Sequence, residues 1–142
     1  MKSLMMNKMV LSLLVLLFLI PAGCNRLLKK PQRYGMVVGV KTEGIEEYKR
    51  LHANTWPGVL KMIRKCHMHN FSIYLAELEK DQFYLFGYFE YYGNDYDADM
   101  AKMAADPTTK DWWSHTEPLQ VPIPTRKEGE WWHFAEEVFY TD

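Results

Sequence analysis

Cysteine is scarce. Two of the 142 residues are cysteine, Cys24 and Cys66, too few for a disulfide framework and without the paired spacing of a zinc site. An excess of one charge is missing too: 17 Lys plus Arg stand against 18 Asp plus Glu, with no basic stripe and no acidic tail. That balance argues against nucleic acid as a partner. The chain has no G-x-G-x-x-G, no P-loop and no G-x-S-x-G, so dinucleotide, nucleoside triphosphate and serine-hydrolase readings have no motif to start from. Its length leaves room for one domain. What it does have in quantity is aromatic side chains, 15% of residues, which suits a well-packed core or an aromatic-lined pocket.

Long apolar runs are confined to the start. Residues 1–8 carry Lys2 and Lys8, residues 9–20 are apolar apart from Ser12, and Pro21, Ala22, Gly23 and Cys24 follow. A basic start, a short apolar run and small residues predict a secretory signal over 1–23. The run is short for a bilayer-spanning helix. Ala22-Gly23-Cys24 resembles the lipobox of bacterial lipoproteins, which implies a lipidated Cys24 as mature N-terminus. Pro21 departs from that pattern. The alternative is a cleaved signal with an incidental cysteine. Both imply export, to the periplasm or cell surface, with any membrane contact made through a lipid on Cys24. Residues 24–33, basic and containing Pro31, read as a tether before a domain spanning 34–142.

Within that domain, 34–40 (YGMVVGV) is apolar, β-branched and bounded by turn signals, so a strand is expected. Residues 45–55 follow as a helix. Residues 58–66 place Val59, Met62, Ile63 and Cys66 at helical spacing, making Cys66 a small buried hydrophobe. Residues 69–77 and 83–91 alternate around a charged turn and form a hairpin. Residues 95–105 are a helix capped by Asp95 or Asp97, and Pro107 opens another running to about His115. Three prolines make 117–129 an extended loop, and 131–140 (WWHFAEEVFY) the last strand. The order β-α-(α)-β-β-α-β is the α+β, ferredoxin-like βαββαβ arrangement. Phe83, Leu85 and Phe89 share one face of their strand and Tyr84, Phe86 and Tyr88 the other, so both sheet faces are apolar. Helices cover one of them. The other predicts a homodimer, a dimeric α+β barrel.

The stretch 46–57, EEYKRLHANTWP, sets a phenol, an imidazole and an indole four residues apart, at Tyr48, His52 and Trp56. Residues four apart share a helix face, so Tyr48 and His52 point the same way, and Pro57 makes a corner. Histidine exchanges protons near neutral pH; phenol and indole are flat, apolar and carry one polar handle each. Taken singly, each has a blander reading: Tyr48 and Trp56 in the core, His52 on the surface. His67 and His69, two apart, have no third ligand at matching spacing, so a metal site is not expected there. His69-Asn70 reads as a strand start or pocket rim.

In this order of motifs the chain resembles the L-rhamnose mutarotase family. The resemblance runs from Tyr34 to Tyr140 and rests on Glu47-Tyr48 with His52, on Trp56-Pro57, on His69-Asn70, on Trp112-Trp113 and on Glu137-Val138-Phe139-Tyr140. It implies an isomerase, a dimer of ferredoxin-like subunits that interconverts the α and β anomers of a 6-deoxy sugar. It further implies that His52 is the proton donor and that Tyr48, Trp112 and Trp113 bind the monosaccharide. The family's Tyr after the His-Asn pair is Phe71 here, which keeps a ring for stacking and loses a hydroxyl. Mutarotation needs a base for the anomeric hydroxyl and an acid for the ring oxygen, with no cofactor and no metal. Two alternatives stay open: an exported sugar-binding lipoprotein without turnover, and a dimeric α+β barrel protein of the haem or aromatic monooxygenase type.

Overall fold

The computed structural model describes residues 30–141; the expected signal, Cys24 and most of the tether lie outside them. Strand β1 (Gln32–Val40) is followed by a 3-10 turn, Thr42–Gly44, and by helices α1 (Ile45–Ala53) and α2 (Pro57–Lys65). The hairpin β2 (Met68–Glu79) and β3 (Gln82–Tyr91) comes next, then α3 (Tyr96–Ala105) and α4 (Pro107–Thr116). A second 3-10 turn, Glu117–Leu119, leads to β4 (Gln120–Val121) and finally β5 (His133–Ala135). All pairings are antiparallel, in the order β2-β3-β1-β4, with β5 also on β1. This is the expected ferredoxin-like α+β order, and the hairpin lies where the alternation places it.

Local chemistry accounts for the helix ends. Asn54 and Thr55 close α1 by donating to the carbonyls of Arg50 and His52, at 3.0 and 2.8 Å, so the helix stops before the expected 55. Trp56 is extended, as the residue before proline prefers, and Pro57 is the first residue of α2. Asp95 caps α3 and Asp106 caps α4, each accepting from the backbone N–H three residues on, at 3.0 and 2.8 Å.

The core forms three clusters, two of them between the inner face of the sheet and the helices. Val38, Val40 and Leu85 pack with Ile45 and Tyr48. Met36, Met68, Phe89 and Tyr91 pack with Met62, Cys66 and Met103. Leu51, Val59 and Trp112 join the helices to one another. Cys66 is fully buried, as its spacing predicted. The outer face carries Val37 of β1, Tyr74 of β2 and Tyr84, Phe86 and Tyr88 of β3, with Tyr74 65% exposed.

Two features depart from the expected strands. β2 holds a bulge between His69 and Ser72, with Asn70 at φ 49°, a conformation asparagine tolerates. The extra residue resets the alternation and turns Phe71 inward, 5.6 Å ring to ring from Phe89. The last strand is also far shorter than 131–140. Only His133–Ala135 pairs with β1, because Trp131 turns away to donate to Gln120 and Trp132 packs against the core. Beyond the strand, Arg33 grips Glu137 through two bonds of 2.6 and 2.7 Å and lies over the Tyr140 ring at 3.3 Å. Within the expected loop 117–129, Gln120 and Val121 pair with Val40 and Gly39. Gly39 permits this: a Cβ there would sit 2.9 Å from the Val121 carbonyl oxygen. The fourth strand is thus two pieces along one edge of β1, with residues 122–132 inserted between them.

Candidate active site

Between the sheet and its helices lies a cavity of about 1240 Å³. α1 supplies its polar centre. Tyr48 and His52, one turn apart, stack with ring centroids 4.1 Å apart and planes 25° from parallel. His52 Nδ1 is 2.9 Å from the Tyr48 carbonyl oxygen. A carbonyl only accepts, so Nδ1 carries a hydrogen and Nε2 is the nitrogen whose protonation changes. Burial holds the imidazole below its ordinary 6.5, only partly offset by that backbone bond. At neutral pH His52 is therefore an uncharged base. Burial also pushes the Tyr48 phenol up to about 12, so it stays protonated and can donate.

Aromatic rings brace this pair. Trp112 of α4 is buried and meets His52 edge-on at 5.2 Å. Trp56 lies edge-on against Trp112 at 5.4 Å and packs with the Leu51, Val59 and Trp112 cluster. Trp113, half-buried, also lines the cavity, as does the half-exposed Phe71 on the opposite wall. His52, Tyr48, Phe71, Trp112 and Trp113 thus come together around one space, although they derive from α1, β2 and α4.

The family model for L-rhamnose mutarotase matches residues 33–141. This chain belongs to the L-rhamnose mutarotase family. Its similarity to the L-rhamnose mutarotase of Oceanobacillus iheyensis is 30% identity, over 62% of this chain and 79% of the relative. That of Mannheimia succiniciproducens is 29% identical over 78% of this chain and 98% of the relative. Among solved structures, the crystal structure of an L-rhamnose mutarotase from Formosa agariphila aligns with a TM-score of 0.59 and 20% identity. It covers 78% of this chain and 99% of that one, a likeness of fold. The family places the chain among carbohydrate isomerases.

Sequence reasoning missed several cavity residues. Gln120 is buried beside Tyr48, with its amide nitrogen 3.4 Å from the phenol oxygen. Trp131 donates to the other end of that amide at 2.6 Å. Gln120 falls in the proline-rich stretch 117–129, which carries no motif, and Trp131 opens the expected last strand, where alternation gave no sign of this contact. Glu117, whose carboxyl is pushed up by burial, and Glu130 also line the wall. The remaining histidines have other duties. His67 Nδ1 bonds Asp99 at 2.8 Å, His115 packs on Trp56 at 5.6 Å, and His133 meets the Thr125 carbonyl at 3.1 Å. His69 and Asn70 sit on the cavity wall, in keeping with the pocket-rim reading. Among the described residues no group of three or more His, Cys, Asp and Glu is arranged to hold a metal ion.

Proposed function

We propose that this chain is a mutarotase for L-rhamnose or a related 6-deoxy sugar, with His52 as its acid–base group. Family membership supports the reaction. The observation that carries the role of His52 is its Nδ1–H bond to the Tyr48 carbonyl, which leaves Nε2 as the only site where a proton can come and go. In the forward direction neutral His52 takes the proton of the anomeric hydroxyl. The C1–O bond to the ring oxygen breaks as the C1 carbonyl forms, and the ring oxygen takes a proton from the Tyr48 hydroxyl or a water it orients. Rotation about C1–C2 presents the other face of the aldehyde. Ring closure reverses the proton movements, with the imidazolium returning its proton to the new anomeric oxygen. The resemblance implies a donor at this position; a histidine held neutral begins as the base and becomes that donor within one turnover. Phe71, Trp112 and Trp113 offer flat faces to the C–H side of the sugar.

The test is NMR magnetisation exchange between the anomeric protons of L-rhamnose, with L-fucose and a hexose beside it. Acceleration by the full chain and none by His52→Ala is expected. Equal acceleration by both proteins removes His52 from the chemistry, and no acceleration of any sugar overturns the proposal.

The same reading includes a homodimer joined through the outer sheet face, where Val37, Tyr74, Phe86 and Tyr88 share one apolar surface; Val138 and Phe139, after the last strand, are also exposed, at 88% and 80%. Surfaces of this kind are normally covered. Light scattering should give twice the chain mass, and Phe86→Glu should reduce it to one. It also includes export with a lipid on Cys24. An unmodified Cys24 in the mass of the mature protein would exclude that anchor.

A further inference from the structure

Gln120 is an amide side chain placed between two aromatic polar groups of the cavity. It is buried, its Oε1 lies 2.6 Å from the Trp131 indole nitrogen, and its Nε2 lies 3.4 Å from the Tyr48 hydroxyl. An indole N–H only donates, so the amide end facing Trp131 must be the oxygen. The end facing Tyr48 is then the NH2 group, and the phenol oxygen is the acceptor. A phenol carries a single proton. With its oxygen receiving Gln120, that proton is directed away from the amide, and Tyr48 lines the cavity.

We propose that Gln120, oriented by Trp131, is a positioning residue that turns the Tyr48 hydroxyl proton toward the bound sugar, making Tyr48 a standing donor. The inference rests on the sugar-isomerase reading of the cavity and adds to it the polarity of one hydrogen bond. A standing donor matches the ring oxygen of a pyranose, which only accepts and which must gain a proton as the ring opens. The three members come from α1, from β4 and from the inserted segment 122–132. Splitting the fourth strand is therefore what brings Trp131 back onto Gln120.

Replacing the amide donor by an acceptor makes the sharpest test. In Gln120→Glu the carboxylate still accepts from Trp131 but can only accept from Tyr48, so the phenol proton turns away from the cavity. Anomer exchange should fall by about 10-fold in kcat with little change in KM. Acidification protonates the introduced carboxyl and restores an O–H donor of the same shape. The ratio of variant to wild-type rate should therefore rise as pH falls from neutral into the range where the introduced carboxyl takes up its proton, a profile that a merely structural role would not produce. In a Tyr48→Phe background the same substitution should change the rate by less than about 2-fold. Independent, full-sized losses in that background, or a ratio flat in pH, would overturn the proposal.

Trp131→Phe keeps an aromatic ring and removes the N–H along with the five-membered ring, so it serves if Gln120→Glu does not fold, and it should follow the same non-additivity with Tyr48→Phe. Should the wild type accelerate no sugar, the proposed reaction fails, and the relay is then judged in the free protein. The Trp131 indole N–H resonance should lie downfield, and it should move in Gln120→Leu and in Tyr48→Phe. An ordinary resonance indifferent to both substitutions would overturn the relay, whatever the activity.

Discussion

His52 and His67 each have a ring nitrogen in a polar contact under 3 Å, and the contrast between them separates chemistry from architecture. His67, at φ 58° just before β2, shares the Asp99 carboxylate with the Tyr91 hydroxyl and the Lys102 ammonium, at 2.8, 2.8 and 2.6 Å. Lys102 first, then His67 and Tyr91, hold that carboxyl down at about 2, against its own desolvation. The node ties α3 to the start of β2 and the end of β3. Its partners are committed to each other. His52 instead spends one nitrogen on the backbone of its own helix, has no carboxylate partner there, and faces a cavity. A paired imidazole holds elements together; one oriented by a carbonyl and kept neutral by burial is free to move a proton.

The largest expected effect falls on the His52 side. His52→Ala should lower anomer exchange by on the order of 10²- to 10⁴-fold with the melting curve nearly unchanged, because the half-buried ring contributes little to the core. Asp99→Ala should do the reverse. It strands Tyr91 and Lys102 and should cost about 2–4 kcal/mol in urea unfolding, while the folded fraction keeps its exchange rate. Loss of activity in the folded Asp99→Ala protein would erase the distinction.

Acid should separate the two regions in a single experiment. The His52 base is uncharged above its folded pKa, which burial places below 6.5, so kcat/KM should hold at neutral pH and fall as pH drops through that lower value. Asp99 has the opposite consequence. Its folded pKa, about 2, lies below the ordinary 3.8, so its stabilisation is fully present above 3.8 and is lost as pH falls toward 2. Down to about pH 4 circular dichroism should report a folded protein, while NMR exchange declines once pH passes below the His52 value. Coincident loss of fold and activity would contradict both assignments.

The smallest effect is expected at the cavity wall. Phe71→Tyr adds a hydroxyl to a half-exposed ring and should shift KM for L-rhamnose by about 2- to 10-fold, the range of one added hydrogen bond. The direction tells whether the sugar presents a polar group there. An unchanged KM for every sugar would remove Phe71 from the recognition surface.

Much of this was legible in the chain alone. Four-residue spacing was enough to place Tyr48 beside His52, because a helix repeats every 3.6 residues. The alternation of 83–91, a cap at Asp95 rather than the equally offered Asp97, and Pro57 and Pro107 at helix starts are local preferences that this environment leaves intact. The burial of Cys66 followed from its place in the Val59, Met62, Ile63 row. Tyr48 shows the limit of such reasoning, since it is both a core residue packed with Val38 and Leu85 and a wall of the cavity, a combination that periodicity treats as alternatives.

Tertiary structure decided the rest. No pattern marks the bulge at Asn70 that swings Phe71 inward, since bulges depend on how the partner strand runs. Strand alternation also gave no sign that 131–140 would pair for only three residues. That outcome depends on Trp131 finding Gln120 across an inserted segment and on Arg33 capturing Glu137 and Tyr140. The acid–base pair belongs to the sequence because it is built within one turn of one helix. The neutral state of His52 and the orientation of the Tyr48 hydroxyl belong to the fold, because burial and the approach of β4 exist only once the sheet has closed over the helices.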